Sequence, residues 1–421
     1  MAILCPNLTP RDRFIALCMV LGTITVRSFQ FGARSVKTRP NNIRSSLVRP
    51  RPSTIVSKRM SDSASPDDDK PMVQLIDVDC NLWHNDLRAF LSAEPGIAVE
   101  SEPEGELMSN PWNFLGNDNI SGASSEIIAM VSPCSTLTES RRAVATLEKH
   151  FSEQTKPSSL CQIGTTLGIH PYHVNDDDLQ GLSGENPILA CMEELKSLYS
   201  KALDVASENE SKKMWVIAAG ECGLDQAPGF PPLEEQLPWF EAQVNLAKEL
   251  NLPLFVHERM ASEQTLQVLD ALDRDHKVLI HCFTGNAREA QVYLERGYSI
   301  SLAGGFLAKK DAGENAKDVC NALPSLWPLL RDKLMLETDA PYMGFSNARS
   351  KYLEKHSEVI AALPSKKRKR IASSTYPNVP SSLESVLDMV HEAVNSQKEI
   401  ISREELAALS THNAKCFFGF S

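Results

Sequence analysis

Eight short apolar runs, separated by longer amphipathic stretches, constrain this chain more than any other feature. In order they are "MVQLIDVD", "EIIAMVS", "CQIGTTLGIH", "MWVIAAGE", "LPLFVHE", "KVLIHC", "GYSISLAG" and "KLMLETD". Near-continuous apolar runs of this length fit strands covered on both faces, the pattern of a parallel sheet. The segments between them carry the helical period. In "LPWFEAQVNLAKELN" (237–251), Leu237, Phe240, Val244, Ala247 and Leu250 fall on one stripe. Eight such units favour closure into a TIM-like (β/α)8 barrel, an α/β fold, over an open doubly wound sheet. No repeat at a fixed period accompanies them.

Charge is distributed unevenly. Residues 1–60 hold eleven Lys/Arg and a single acid, Asp12, a net of +10, so the total of −11 leaves −21 for the rest. An acidic body argues against a broad grip on duplex DNA, which needs a basic surface to displace counterions, unless metal ions supply positive charge locally. The first 70 residues pair the apolar run "FIALCMVLGTITV" (14–26) with an Arg/Ser-rich stretch. They read as a targeting segment and disordered linker ahead of a barrel spanning 71–421. The run is short for a membrane span. The expectation is an organelle, mitochondrion or plastid, with no stable membrane association of the mature form; if translation starts at Met60, cytoplasm or nucleus replaces it. Two insertions, at about 88–125 and 343–380, interrupt the barrel pattern. The ten cysteines are scattered with no C-x-x-C pair, which fits reduced thiols.

The informative positions are the polar residues that finish buried runs. Glu221 ends "VIAAGE", His257 ends "LPLFVH", His281 ends "VLIH" and Asp339 follows "LMLET". Strand C-termini of a parallel barrel meet at one rim, where such folds build their active sites. One Glu, two His and one Asp converging there make a mixed N/O donor set for divalent metals such as zinc, manganese or magnesium. A lone strand-end His or Asp is more often a hydrogen-bonded or capping residue. Four together point to a metal centre.

The ordered motifs "IDVDCNL" (76–82), "GIHPYHV" (168–174), "AAGECGLD" (218–225), "LPLFVHER" (252–259), "LIHCFTG" (279–285), "SLAGGF" (301–306), "ETDAPYM" (337–343) and "NAKCFFG" (413–419) resemble the TatD-related metal-dependent DNases. That resemblance implies an amidohydrolase-type barrel, one or two divalent ions, and hydrolysis of DNA phosphodiesters, typically trimming from a 3′ end. It makes Glu221 the carboxylate bridging two metals, His257 and His281 ligands of one of them, and Asp339 a carboxylate that orients or deprotonates the attacking water. Arg259 matches an arginine that holds a substrate phosphate, a role its planar fork suits. His170 looks like a substrate-side group, against the alternative of a histidine structuring the turn before Pro171.

The first motif departs from the family. Many relatives have D-x-H-x-H where this chain has Asp77-Val78-Asp79-Cys80-Asn81. Asn81 fits a branch of the family that carries Asn there; Asp79 is less usual. It either ligates a hard ion directly, tilting preference toward magnesium or manganese, or leaves one tightly bound metal. In "YPNVP" (376–380) relatives tend to carry an acid where Val379 stands. The basic run "SKKRKR" (365–370) reads as a solvated loop, a phosphate-gripping element or a nuclear localisation signal. Cys222 and Cys282 adjoin expected ligands but have the look of small packing residues, not nucleophiles.

Three functions compete. The leading one is a metal-dependent deoxyribonuclease acting 3′ to 5′ on single-stranded or frayed ends. The second is an ester or amide hydrolase on the same metal barrel, such as an aminoacyl-tRNA deacylase, since a metal polarises carbonyl as well as phosphoryl oxygens. The third is a noncatalytic binding barrel. No protein partner is readable.

Overall fold

Each of the eight apolar runs forms a strand, and all pair in parallel in chain order. They are β1 (Val73–Asp77), β2 (Ser125–Pro133), β3 (Gln162–Leu167), β4 (Val216–Asp225), β5 (Leu254–Arg259), β6 (Val278–His281), β7 (Ser299–Ala303) and β8 (Leu334–Glu337). The computed structural model describes residues 71–84, 122–152, 161–182, 186–208, 215–311, 313–362 and 378–420, with Leu87, Pro364, Ser365 and Arg368. The expected targeting segment and nearly all of the 88–125 insertion lie outside the described residues. The seam between β8 and β1 is joined at the C-terminal rim, where the Val78 N–H donates to Leu336 O at 3.1 Å and the Asp339 N–H donates to Asp79 O at 2.8 Å.

The barrel interior is apolar in its lower part. Ile76, Val78, Ala129, Val131, Ile217, Phe255, Leu279 and Met335 form one buried cluster, floored by Phe417 and Phe418 of the helix Arg403–Phe418. Side chains on one face of a strand recur every second residue. Two positions beyond Phe255, Leu279 and Met335 stand His257, His281 and Glu337. The polar rim is therefore the next layer of the same inward face. The helices pack outside against a second, larger core.

Two boundaries differ from the sequence reading. β4 does not end at Glu221 but runs to Asp225 with all ten residues buried. Its pairing with β5 shifts between Ala219 and Cys222, and such a bulge re-aims side chains. Gly220 at the shift has φ +124, and a Cβ there would meet Phe255 O at 2.2 Å, so only glycine fits. The helix carrying the predicted stripe begins four residues early, at Leu233. The 343–380 segment contributes the helices Ser346–Lys355 and Ser357–Ala362, anchored in the core by Phe345, Ala348, Tyr352 and Ile360. Val379 is itself buried in that core, which accounts for an apolar residue where an acid was expected. Of the basic run, Ser365 and Arg368 are described and exposed; the remaining residues lie outside the description.

Candidate metal centre

Glu221 is the hub of the rim. Its Oε1 lies 3.5 Å from His170 Nε2, 3.4 Å from His257 Nδ1 and 2.9 Å from His281 Nε2, and Ser135 Oγ donates to its Oε2 at 3.3 Å. Burial alone would raise the pKa of this carboxyl, but the charge of His281 and the hydrogen bonds of His257 and His281 hold it well below the usual range. Asp225, which the sequence reading did not single out, orients His257: the imidazole Nε2 donates to Asp225 Oδ2 at 2.9 Å. That bond leaves Nδ1 to face Glu221, the carboxylate–histidine arrangement typical of metal ligands.

His170 is held differently. The Tyr172 N–H donates to His170 Nδ1 at 3.2 Å, so in the neutral ring the proton sits on Nε2, pointing toward Glu221. Burial depresses its pKa, which keeps the ring neutral. This is the geometry of a hydrogen-bond donor, and the Tyr172 bond is the one that structures the Pro171 turn, as the alternative reading of His170 had it.

A second group forms beside the first. His281 Nδ1 lies 3.0 Å from Asp79 Oδ2 and 3.9 Å from Glu337 Oε2. Among the described residues, two three-residue groups could hold a metal: His170–Glu221–His257 and Asp79–His281–Glu337. His281 faces both: its Nε2 lies against the Glu221 Oε1 that His257 Nδ1 also faces, and its Nδ1 lies against Asp79. Glu337 belonged to a quoted motif but was not assigned a role. Asp339, with φ +52, receives Asn81 Nδ2–H on Oδ1 at 3.2 Å and lies 3.5 Å from Cys282 Sγ. Asn81 also reaches Asp79 Oδ1, at 3.4 Å. Asp77 is spent on structure, accepting from the Thr338 N–H at 2.8 Å and from Thr338 Oγ1 at 2.6 Å.

Crowded buried carboxylates repel one another's charge. Burial, with repulsion from Asp79 and Glu337, pushes Asp339 well above its ordinary pKa. Asp79 rises to about 6 and Glu337 to about 7, burial leading in both. A divalent cation would offset that repulsion. The donor types, nitrogen and carboxylate oxygen from buried strand ends, fit one.

Arg259 ends β5 at the same rim, and among the described residues no ion pair engages its guanidinium. The turn after it is braced from below: Glu258 Oε1 accepts from the Ala261 N–H at 2.8 Å and its Oε2 from Tyr293 OH at 3.1 Å. All eight residues expected at the site therefore lie at or next to the C-terminal rim of the strands.

Fold and rim together define a parallel barrel of the metal-dependent hydrolase type. The chain belongs to the TatD-related DNase family: the family model described as "TatD related DNase" matches residues 117–419. It is 41% identical over 129 residues to the "3'-5' ssDNA/RNA exonuclease TatD" of Rahnella sp., covering 30% of this chain and 46% of that protein. It is 32% identical over 180 residues to the protein of that name from Salmonella typhimurium, covering 42% of this chain and 58% of the relative. The chain thus spans about half the length of the curated relatives it matches. In fold it is similar to a hydrolase TatD family protein from Entamoeba histolytica, with TM-score 0.54 and 20% identity over 83% of this chain and 99% of that one. An uncharacterized amidohydrolase from Saccharomyces cerevisiae aligns with TM-score 0.53 and 18% identity, covering 82% of this chain and all of that one (100%). Among the described residues no helix is long and apolar enough to cross a membrane.

Proposed function

We propose that this protein hydrolyses DNA phosphodiesters with divalent metal ions, releasing nucleotides from the 3′ end of single-stranded or frayed DNA. The observation that carries the reading is the convergence of Glu221, His257, His281, Asp79 and Asp339 on one rim, in a family whose relatives bear the name of a 3′-5′ exonuclease. Glu221 and His257 would hold one ion, with Asp225 fixing the imidazole. Asp79, His281 and Glu337 would hold another, with Asn81 and Asp339 beside it.

Divalent ions bound there would acidify a water and neutralise phosphate charge, which is the chemistry this reaction needs. The side chains do the rest. Asp339 takes a proton from the attacking water on a carboxylate oxygen, and Asn81 keeps that carboxylate aimed. Arg259 clamps a phosphate through its guanidinium fork. His170 offers its Nε2 proton to a substrate oxygen. An acidic body with this cationic arginine at the rim favours a strand end over an extended duplex.

The test compares wild type with Arg259→Ala on a single-stranded oligonucleotide bearing a 3′ hydroxyl and on an aminoacyl-tRNA. The proposal expects cleavage of the oligonucleotide, a loss of roughly tenfold or more in kcat/KM for the variant, and no deacylation. Deacylation without oligonucleotide cleavage would overturn it in favour of carbonyl chemistry.

A further inference from the structure

We infer that Phe230, with Tyr172 beside it, forms a stacking platform for the nucleobase at the 3′ end of a single strand, and so sets the terminal nucleotide against the rim. The inference rests on the nuclease reading and names what receives the base, where Arg259 and the rim carboxylates deal with phosphate and water.

The rings of His170, Tyr172, His173, Phe230 and His257 meet on the Glu221 side of the rim. Phe230 lies stacked on His257, with 6.2 Å between centroids and 18° between planes, and its centroid is 6.0 Å from that of His170. Tyr172 meets Phe230 edge to face at 5.4 Å and His173 in the same way at 5.2 Å. Phe230 and Tyr172 are both half-buried, so apolar ring surface stands partly in water among polar groups. His257 in turn faces Glu221 at 3.4 Å, which leaves a single imidazole between the platform and the carboxylate at the hub of the rim.

The loop that carries Phe230 is tied down along its length. The Gln226 N–H donates to Arg259 O at 3.0 Å, the Ala227 N–H to Asp225 Oδ1 at 2.7 Å and the Phe230 N–H to Ala227 O at 3.2 Å. Pro228, Pro231 and Pro232 fix φ on either side of the ring. A side chain held this way loses little freedom when a ligand settles on it. Asp225 anchors both this loop and the His257 imidazole, and the Gln226 bond joins the loop to the residue expected to clamp phosphate. Stacking on an aromatic ring accepts any base, because every base has a π-face. A 3′-terminal base has no neighbour beyond it, so one of its faces is open to such a ring. An enzyme that trims a strand must accept each base in turn, and an uncharged platform does so without adding positive charge to an acidic body.

The test measures kcat/KM of the full-length protein, with magnesium or manganese, on two 5′-labelled single-stranded DNAs that differ only at the last residue, a normal nucleotide in one and an abasic tetrahydrofuran nucleotide in the other. Wild type should favour the base-bearing end by about tenfold or more, the scale of one base–aromatic stack. Phe230→Ala should erase that preference. Phe230→Leu, which keeps apolar bulk without a π-face, should erase most of it, and Phe230→Trp should retain it; these two serve where the alanine variant folds poorly. The ratio between the two ends separates stacking from mere support of His257, since loss of support slows both ends alike. No preference in wild type, or a wild-type preference persisting in Phe230→Ala and Phe230→Leu, would overturn the inference while the ladder itself upholds the nuclease reading. Failure of the metal-loaded wild type to cut either end would overturn both.

Discussion

Asp225 accepts the Nε2 proton of His257 at 2.9 Å, and this one hydrogen bond decides which edge of the imidazole faces Glu221. Replacing Asp225 by Asn should release the ring without emptying the rim. The expected outcome is a metal affinity about 10–100-fold lower, read as metal retained after dialysis against graded chelator. Asp225 Oδ1 also accepts from the Ala227 N–H at 2.7 Å, which an Asn oxygen preserves, so the fold should hold. Unchanged retention would remove Asp225 from the site.

Glu258 gives a pH-dependent stability. Burial raises its pKa above 4.5 despite the hydrogen bonds from Ala261 and Tyr293. Between its unfolded and folded pKa values the folded state therefore binds the extra proton, and stability falls as pH rises through that window. Glu258→Gln keeps an acceptor for Ala261 and a polar partner for Tyr293 but removes the charge. The variant should melt above wild type at pH 8, and the gap should close as pH approaches about 4.3, the ordinary glutamate value. A gap independent of pH would mean that the charge is not the cause.

Asn378 clamps the loop that carries Asp339. Its Nδ2 donates to Thr338 O at 2.8 Å and to Tyr342 O, while its Oδ1 accepts from Ser382 Oγ at 2.6 Å, the Thr338 and Ser382 bonds being buried. Asn378→Ala strands these partners and should cost about 1–3 kcal/mol in denaturant unfolding. Ser382→Ala, which spares both donated bonds, should cost less. Equal costs would place the importance of the pair in the serine instead.

The strands were legible because a barrel strand is buried on both faces and shows an unbroken apolar run, and the rim because His257 and His281 replace apolar residues on the inward face. Asp225 and the role of Glu337 were not legible: what matters there is which ring nitrogen faces which oxygen across strands, and spacing along the chain does not encode it. His257 and His281 pair in register on β5 and β6, but that His257 Nδ1 and His281 Nε2 both face Glu221 Oε1 is visible only in the structure. The extent of β4 was hidden by Gly220, whose left-handed backbone shifts the register inside a continuous strand.

The account's central claim is metal-dependent trimming of DNA from its 3′ end. It is tested most directly by following a 5′-labelled single-stranded DNA with the full-length protein in magnesium or manganese and in EDTA, beside Asp339→Asn. The account predicts a ladder shortening from the 3′ end that EDTA abolishes and that the variant slows by about a hundredfold or more, the scale on which general-base catalysis contributes. An intact oligonucleotide under metal-loaded conditions, or a ladder undiminished by EDTA or by Asp339→Asn, would contradict it.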